Sequence, residues 1–302
     1  IRARGAGCDI YHHLQGIQRM TEDHTLPRER YREGRKRVGS GLMRVEDTAV
    51  GLPLPSSEGP MIRTKELAIG WGDKVIQEHL NFEVKRGEVF GILGGSGSGK
   101  STLLRFLIGL EAPLHGDIDI GGLGPPDLES GLPPFGVMFQ SGALFGALTV
   151  AENVALPLEE WTKLPKEAVF GITDAKLGLV GLHGAADQYP SELSGGMKKR
   201  VAIARALALD PELVFLDEPS AGLDPITSAE LDELIRALSR SLRLTIVIVT
   251  HELESIFSVV DRAILIDRDA KSIIATGKPQ ELRDSEDTRV SNFFLRKGRK
   301  QQ

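Results

Sequence analysis

The sequence predicts an α/β protein with a mostly parallel sheet, an N-terminal antiparallel β part and an inserted helical subdomain. Three observations predict it. Val89–Leu93, Leu213–Asp217, Leu244–Thr250 and Ala263–Asp267 are short continuous apolar runs, as expected of parallel strands buried on both faces. The first run leads straight into a glycine-rich loop that opens a helix. Residues 143–208 switch to helical periods.

Residues 1–60 read as a disordered extension or linker. They are rich in Arg, His, Gly and Pro, with a charge-dense run from Arg28 to Arg37 and a turn-rich stretch over Gly51–Pro60. A targeting or partner-binding arm is the functional alternative. Organised structure is expected from Met61. Leu80, Phe82 and Val84 alternate onto one face of a strand. Ser101–Leu110 reads as a helix and Phe135–Gln140 as a strand. Thr149 and Glu152 have capping-box spacing ahead of an apolar helix. Helices are expected over Ser228–Leu242 and Glu252–Val260. The domain is placed at 61–285, its helical subdomain at about 143–208, and a C-terminal tail at 286–302.

Composition narrows the function classes. The chain has 302 residues, 41% hydrophobic and 26% charged, enough to bury a full core. The net charge is −5, so no general basic footprint points to nucleic acid. The balance is uneven: residues 1–44 carry 10 Lys and Arg against 5 Asp and Glu, the rest 27 against 37. A single cysteine, Cys8, allows no intramolecular disulfide and fits a reducing compartment. The longest apolar stretches are strand-sized, whereas a spanning helix needs about 20 apolar residues.

The loop reads Gly94-Gly95-Ser96-Gly97-Ser98-Gly99-Lys100-Ser101. Glycines let successive backbone N–H groups turn inward around an anion, and the helix start adds favourable partial charge. Lys100 is placed to reach the β- and γ-phosphates, and Ser101 offers a hydroxyl to Mg²⁺. A flexible glycine-rich turn is the plain alternative, which the preceding strand and following helix argue against. The fold is therefore expected to be a P-loop NTPase core. Asp217 ends the strand Leu213–Asp217, where ligands of open α/β sheets gather. Asp217 would hold Mg²⁺, and Glu218 would face the attacking water. The alternative for this acidic pair is helix capping.

From about Met61 to the late 270s the chain resembles the ATP-binding-cassette ATPases. Leu193-Ser194-Gly195-Gly196-Met197 is similar to that family's signature segment, with Met197 where Gln is usual. The resemblance implies that Ser194, Gly195 and Gly196 cap the γ-phosphate of ATP bound to a second copy of the chain. It implies nucleotide contacts along the loop from Gly94 to Ser101, and at Thr102. Trp71, followed by Gly72, resembles the aromatic that stacks on adenine; a core tryptophan at a strand end is the other reading. Gln140 resembles the glutamine that touches Mg²⁺ and water and senses the transport partner. Asp224, in Ser220-Ala221-Gly222-Leu223-Asp224, resembles the loop that crosses the dimer interface. His251, after Ile246–Thr250, resembles the histidine that contacts the γ-phosphate. The implied catalytic residues are Glu218, His251 and Gln140. The implied Mg²⁺ ligands are Ser101, Gln140 and Asp217, and the cofactors are ATP and Mg²⁺.

A closer similarity follows Gln140. Phe139–Phe145 and Glu152–Leu158 resemble the ATPase subunit of Mla/MCE-type phospholipid transporters. So do Tyr189–Met197, Asp224-Pro225-Ile226-Thr227 and Asp287–Val290. This resemblance implies ATP-driven phospholipid transport by a homodimer at the cytoplasmic face of the inner membrane. The implied partners are integral-membrane permease subunits, with MCE-type lipid-binding and small accessory subunits beside them and no nucleic acid. Ser141–Leu148 reads either as a groove for a short helix of a membrane partner or as packing core. The alternatives are the ATPase subunit of a small-solute importer and, more distantly, a soluble cassette ATPase acting on DNA or the ribosome. The basic, partly apolar stretch Val290–Gln302 reads as a docking segment, a contact with anionic lipid, or a solvated tail.

Overall fold

The computed structural model describes residues 59–127 and 133–295. The expectations for residues 1–58, and for Arg296, Lys297, Arg299 and Lys300, lie outside the described residues.

Two sheets are stacked. The first is antiparallel, with β1 (Ile62–Trp71) between β2 (Lys74–Val84) and β4 (His115–Ile120). The second holds β3 (Val89–Leu93), β5 (Phe135–Met138), β6 (Leu213–Asp217), β7 (Thr245–Val249), β8 (Arg262–Asp267) and β9 (Ser272–Gly277). Its order is β5-β6-β7-β3-β8-β9, parallel except for the antiparallel β8–β9 pair at one edge.

The continuous apolar runs have a direct cause. Successive strand residues point to opposite faces, and both faces of the second sheet are covered. Leu213 and Phe215 enter the core shared with the antiparallel sheet and α1 (Lys100–Leu107); Val214 and Leu216 enter the core under the other helices. Phe90 and Ile92 divide from Val89 and Leu93 in the same way.

Between β5 and β6 run α2 (Val150–Trp161), α3 (Lys166–Leu179), a 3₁₀ turn at Pro190–Glu192 and α4 (Gly195–Ala206). The capping box at the start of α2 is formed: Thr149 Oγ1 accepts from the Glu152 N–H, and Glu152 Oε2 accepts from the Thr149 N–H. Then come α5 (Pro225–Leu242), α6 (Leu253–Val259), α7 (Pro279–Arg283) and α8 (Thr288–Phe294).

Several boundaries differ from expectation. α1 starts one residue early and stops at Leu107, because Gly99 caps it in a left-handed conformation and the chain turns at Gly109. α5 starts at Pro225, whose fixed φ suits a first helical position. β5 ends at Met138, so Gln140 does not end a strand but stands exposed in the following turn. Residues 288–294, read as the start of a tail, form α8, which buries Val290 and Phe294 in the core with Leu282.

Candidate functional site

The parallel strands put the phosphate loop, the acidic pair and His251 at one sheet edge. Val249, the last residue of β7, pairs with Asp217 of β6 on one side and Ile92 of β3 on the other. The three segments that follow these strands therefore leave together.

In the phosphate loop, Gly99 has φ 94°, and a β-carbon there would meet Ile76 Cγ2 at 2.8 Å. Gly94 and Ser98 are buried, whereas Gly95, Ser96 and Gly97 are exposed. Lys100 is buried and donates from Nζ to the carbonyls of Gly94 (3.0 Å) and Gly95 (3.2 Å). Burial pushes its pKa down, and the charges of Glu218 and Asp217 oppose that shift. An ammonium held by two neutral carbonyls inside a half-closed loop is under-compensated. An anionic ligand would supply the missing charge. The buried hydroxyl of Ser98 has no protein partner either.

Ser101 opens the helix side of the loop, with Thr102 half-buried behind it. Ser101 Oγ donates to Asp217 Oδ1 at 3.3 Å. Burial raises the pKa of Asp217, partly offset by that hydrogen bond. A hydroxyl and a carboxylate at this distance form an oxygen pair suited to a hard divalent cation. Among the described residues no three His, Cys, Asp or Glu side chains gather to hold a metal. Further ligands would come from phosphate oxygens and water.

Glu218 is buried, and its Oε1 lies 2.7 Å from His251 Nδ1. A carboxylate only accepts, so Nδ1 carries the proton. Oε2 is buried without a protein partner. Glu218 takes φ 47°, a left-handed conformation uncommon for a residue with a side chain, and its N–H donates to the Val249 carbonyl at 2.8 Å. The structure thus brings Lys100, Ser101, Asp217, Glu218 and His251 into one cluster.

Other expected residues stand apart. Trp71 is 47% exposed, so it is not a core tryptophan. Its ring rests 6.2 Å from that of Phe106 on α1. Ser194 caps α4, its Oγ accepting from the Met197 N–H at 3.2 Å. Within the chain, Gly195 and Gly196 pack toward Leu223 and Thr227 rather than the phosphate loop. Asp224 caps α5: Oδ1 accepts from the Ile226 and Thr227 N–H groups at 3.1 Å, and Oδ2 from the Thr227 hydroxyl at 2.6 Å. The bonds from Thr227 lower its pKa.

Three supporting residues escaped the sequence reading. Gln77 on β2 is fully buried; Nε2 donates to the carbonyls of Ser98 (2.7 Å) and Asp267 (3.0 Å), fastening the phosphate loop to the antiparallel sheet. Asn153 on α2 donates to the carbonyls of Phe145, Leu148 and Thr149 and accepts from the Phe145 N–H, folding the segment after Gln140. That segment leaves Ala143 exposed and Leu144, Phe145 and Leu148 half-buried. Lys199 on α4 is buried and donates to the carbonyls of Gln140 and Glu218.

Comparison with known proteins agrees with this geometry. A family model described as ABC transporter matches residues 77–221. The intermembrane phospholipid transport system ATP-binding protein MlaF of Haemophilus influenzae is 43% identical over 239 residues, covering 78% of this chain and 90% of that protein. Its Escherichia coli counterpart is 40% identical over 80% of this chain and 91% of its own length. The probable ribonucleotide transport ATP-binding protein mkl of Mycobacterium leprae is 39% identical over 78% of this chain and 69% of its own. Among solved structures, cbiO1 of Clostridium perfringens, part of an ABC transporter complex, superposes with a TM-score of 0.68 at 31% identity, covering 79% of this chain and 97% of that one. A dimeric ATP-binding cassette bound to ADP and Pi gives 0.64 at 30% identity, covering 72% and 99%. With a phosphate loop, an acidic strand end and a Glu–His pair at one sheet edge, the chain belongs to the ABC transporter family, as a nucleotide-binding ATPase cassette.

Proposed function

We propose that this ATPase drives a membrane phospholipid transporter. The observation that carries the cargo is the identity of 43% and 40%, over about four-fifths of the chain, to two proteins named for intermembrane phospholipid transport. Two copies pair head to tail. Each supplies Trp71, the loop Gly94–Ser101, Thr102, Asp217, Glu218 and His251 to one ATP, and Ser194, Gly195 and Gly196 to the other. Asp224 stands where the two copies meet.

Lys100 and the loop N–H groups hold the β- and γ-phosphates. Mg²⁺, held by Ser101, Gln140 and Asp217, would neutralise phosphate charge. Glu218 orients or deprotonates a water for in-line attack on the γ-phosphorus; the bond to the β-phosphate oxygen breaks, leaving ADP and phosphate. The orphan Oε2 of Glu218 is a ready acceptor for that water. His251 holds the other carboxylate oxygen and contacts the γ-phosphate.

The segment from Gln140 to Leu148 transmits closure to an integral-membrane permease. MCE-type lipid-binding and small accessory subunits complete the assembly, which sits at the cytoplasmic face of the inner membrane. No helix of the described residues is long and apolar enough to cross a membrane.

The 39% identity to a probable ribonucleotide transport protein favours a second reading, solute import. Purifying the chain with its native membrane partners and measuring ATPase in phospholipid vesicles decides between them. Stimulation by phospholipid, with lipid co-purifying, is expected. Stimulation by a nucleotide-like or other small solute instead overturns the phospholipid reading.

A further inference from the structure

We infer that Lys199 is a positioning residue that ties helix α4 to the backbone of both Glu218 and Gln140, so that the aim of the Glu218 carboxylate depends on where α4 stands. The inference rests on the role proposed for Glu218.

Lys199 sits one turn into α4, the helix that Ser194 caps. Its neighbours serve elsewhere: Arg200 donates to the Val180 carbonyl and pairs with Glu230. Lys199 is the charged residue of α4 that is buried, and it donates to the Gln140 carbonyl and, at 3.1 Å, to that of Glu218. A buried ammonium is costly, and is kept where its donors are used.

Those two carbonyls lie just past the ends of two paired strands, where Met138 of β5 stands beside Leu216 of β6. Gln140 lies in the turn after β5, and Glu218 follows β6. At Glu218 the grip acts on a residue held at φ 47°, a conformation that persists only where the surroundings fix it. The Val249 carbonyl holds its N–H, and Lys199 holds its C=O. Arg205, two turns further along α4, donates to the carbonyls of Gly142 (2.7 Å) and Ala143 (2.8 Å). Two side chains of one helix therefore hold three carbonyls of residues 140–143 and a fourth at Glu218. If α4 moves relative to the sheet, it must either carry these segments along or release them.

Steady-state ATPase of the full chain with its membrane partners tests this. Lys199→Met keeps the length and apolar stem but removes the donors. Its kcat should fall about tenfold or more, with the KM for ATP within about twofold of the parent, the split expected when transition-state rather than ground-state interactions are lost. Lys199→Gln retains N–H donors and should recover part of the kcat. A parental kcat in Lys199→Met overturns the inference. So does a joint loss of kcat and ATP binding that Lys199→Gln does not relieve, because that marks a purely structural lysine. If Lys199→Met does not fold, Lys199→Gln is read alone: lower kcat at parental KM supports the inference, and parental kcat overturns it. Glu218→Gln run alongside separates the two layers. If Glu218→Gln keeps turnover, the role of Glu218 fails; if it abolishes turnover while Lys199→Met keeps parental kcat, only the coupling fails.

Discussion

His251 Nδ1 lies 2.7 Å from one oxygen of the Glu218 carboxylate, while the other oxygen is buried with no protein partner. The histidine fixes the carboxylate's rotation, and the orphan oxygen is left to accept from a ligand or water. Burying such an acceptor unpaired costs about 1–3 kcal/mol, so the site is kept for what it binds.

Glu218→Gln should therefore lower ATP turnover by about 10²–10⁴-fold while ATP-dependent pairing of two copies survives. Turnover by phosphate release and pairing by size-exclusion chromatography with ATP check the two halves. His251→Ala should lower turnover less, because the carboxylate remains. Rapid turnover in Glu218→Gln would rule out this assignment.

Lys100 tests whether the phosphate loop is kept for binding rather than stability. Its ammonium is buried against two carbonyls, and burial disfavours its charge. Apo Lys100→Met should stay within about 1 kcal/mol of the parent, about 2–4 °C in melting temperature. The parent should gain about 2.7 kcal/mol from ATP at a hundredfold excess over its Kd, and the variant should gain nothing. Thermal melts with and without ATP read both. An equal ATP gain in the two proteins would contradict the role given to Lys100.

Trp71 is exposed at the end of β1 and braced by Phe106. Stacking on a base is worth about 1–3 kcal/mol, so Trp71→Ala should weaken ATP binding by about 5- to 150-fold. Trp71→Tyr should keep most of it. Equilibrium titration of the isolated chain measures this, and an unchanged Kd in Trp71→Ala removes Trp71 from the site.

Asp224 gives a pH prediction. Its folded-state pKa is lowered from 3.8 by hydrogen bonds from Thr227 and Ile226. A depressed carboxylate contributes stability that is present above its unfolded pKa and lost as pH falls through the folded one. Asp224→Asn should therefore melt below the parent at neutral pH, and the gap should close as pH drops below 3.8. A gap unchanged across that window would show that the charge plays no part in the cap.

Gly136 on β5 packs against the end of α4: an added β-carbon would lie 1.9 Å from the Ala206 carbonyl oxygen. Gly136→Ala must push the helix off the strand. Overpacking of this kind costs about 1–3 kcal/mol, so the denaturation midpoint should fall. An unchanged midpoint would mean that α4 shifts freely at this contact.

Much of the site was legible in the chain. The loop Gly94–Ser101 and the pair Asp217–Glu218 are local strings whose chemistry follows from backbone conformation and residue type. Gln140 was legible only in part: the family resemblance supplied a role to propose, but the strand expected to end on it stops at Met138, and the residue stands in the turn beyond. Gln77, Asn153 and Lys199 were out of reach. Gln77 and Lys199 donate to carbonyls of distant segments, with Gln77 Nε2 bridging to Asp267, 190 residues away, and Asn153 donates to the carbonyls of Phe145, Leu148 and Thr149 just before it. A backbone carbonyl is the same on every residue, so no side-chain pattern marks such a partner.

The sequence by itself determined the class of fold and the family. Continuous apolar strands must be covered on both faces, and a glycine loop between strand and helix must turn its N–H groups inward. Tertiary structure decided which strands lie side by side, and so which strand ends meet. With β7 between β3 and β6, Lys100, Asp217, Glu218 and His251 converge. It also decided that α4 holds Glu218 and Gln140 through Lys199. Strand order and buried side-chain-to-carbonyl bonds depend on packing between distant segments, and local composition does not encode that packing.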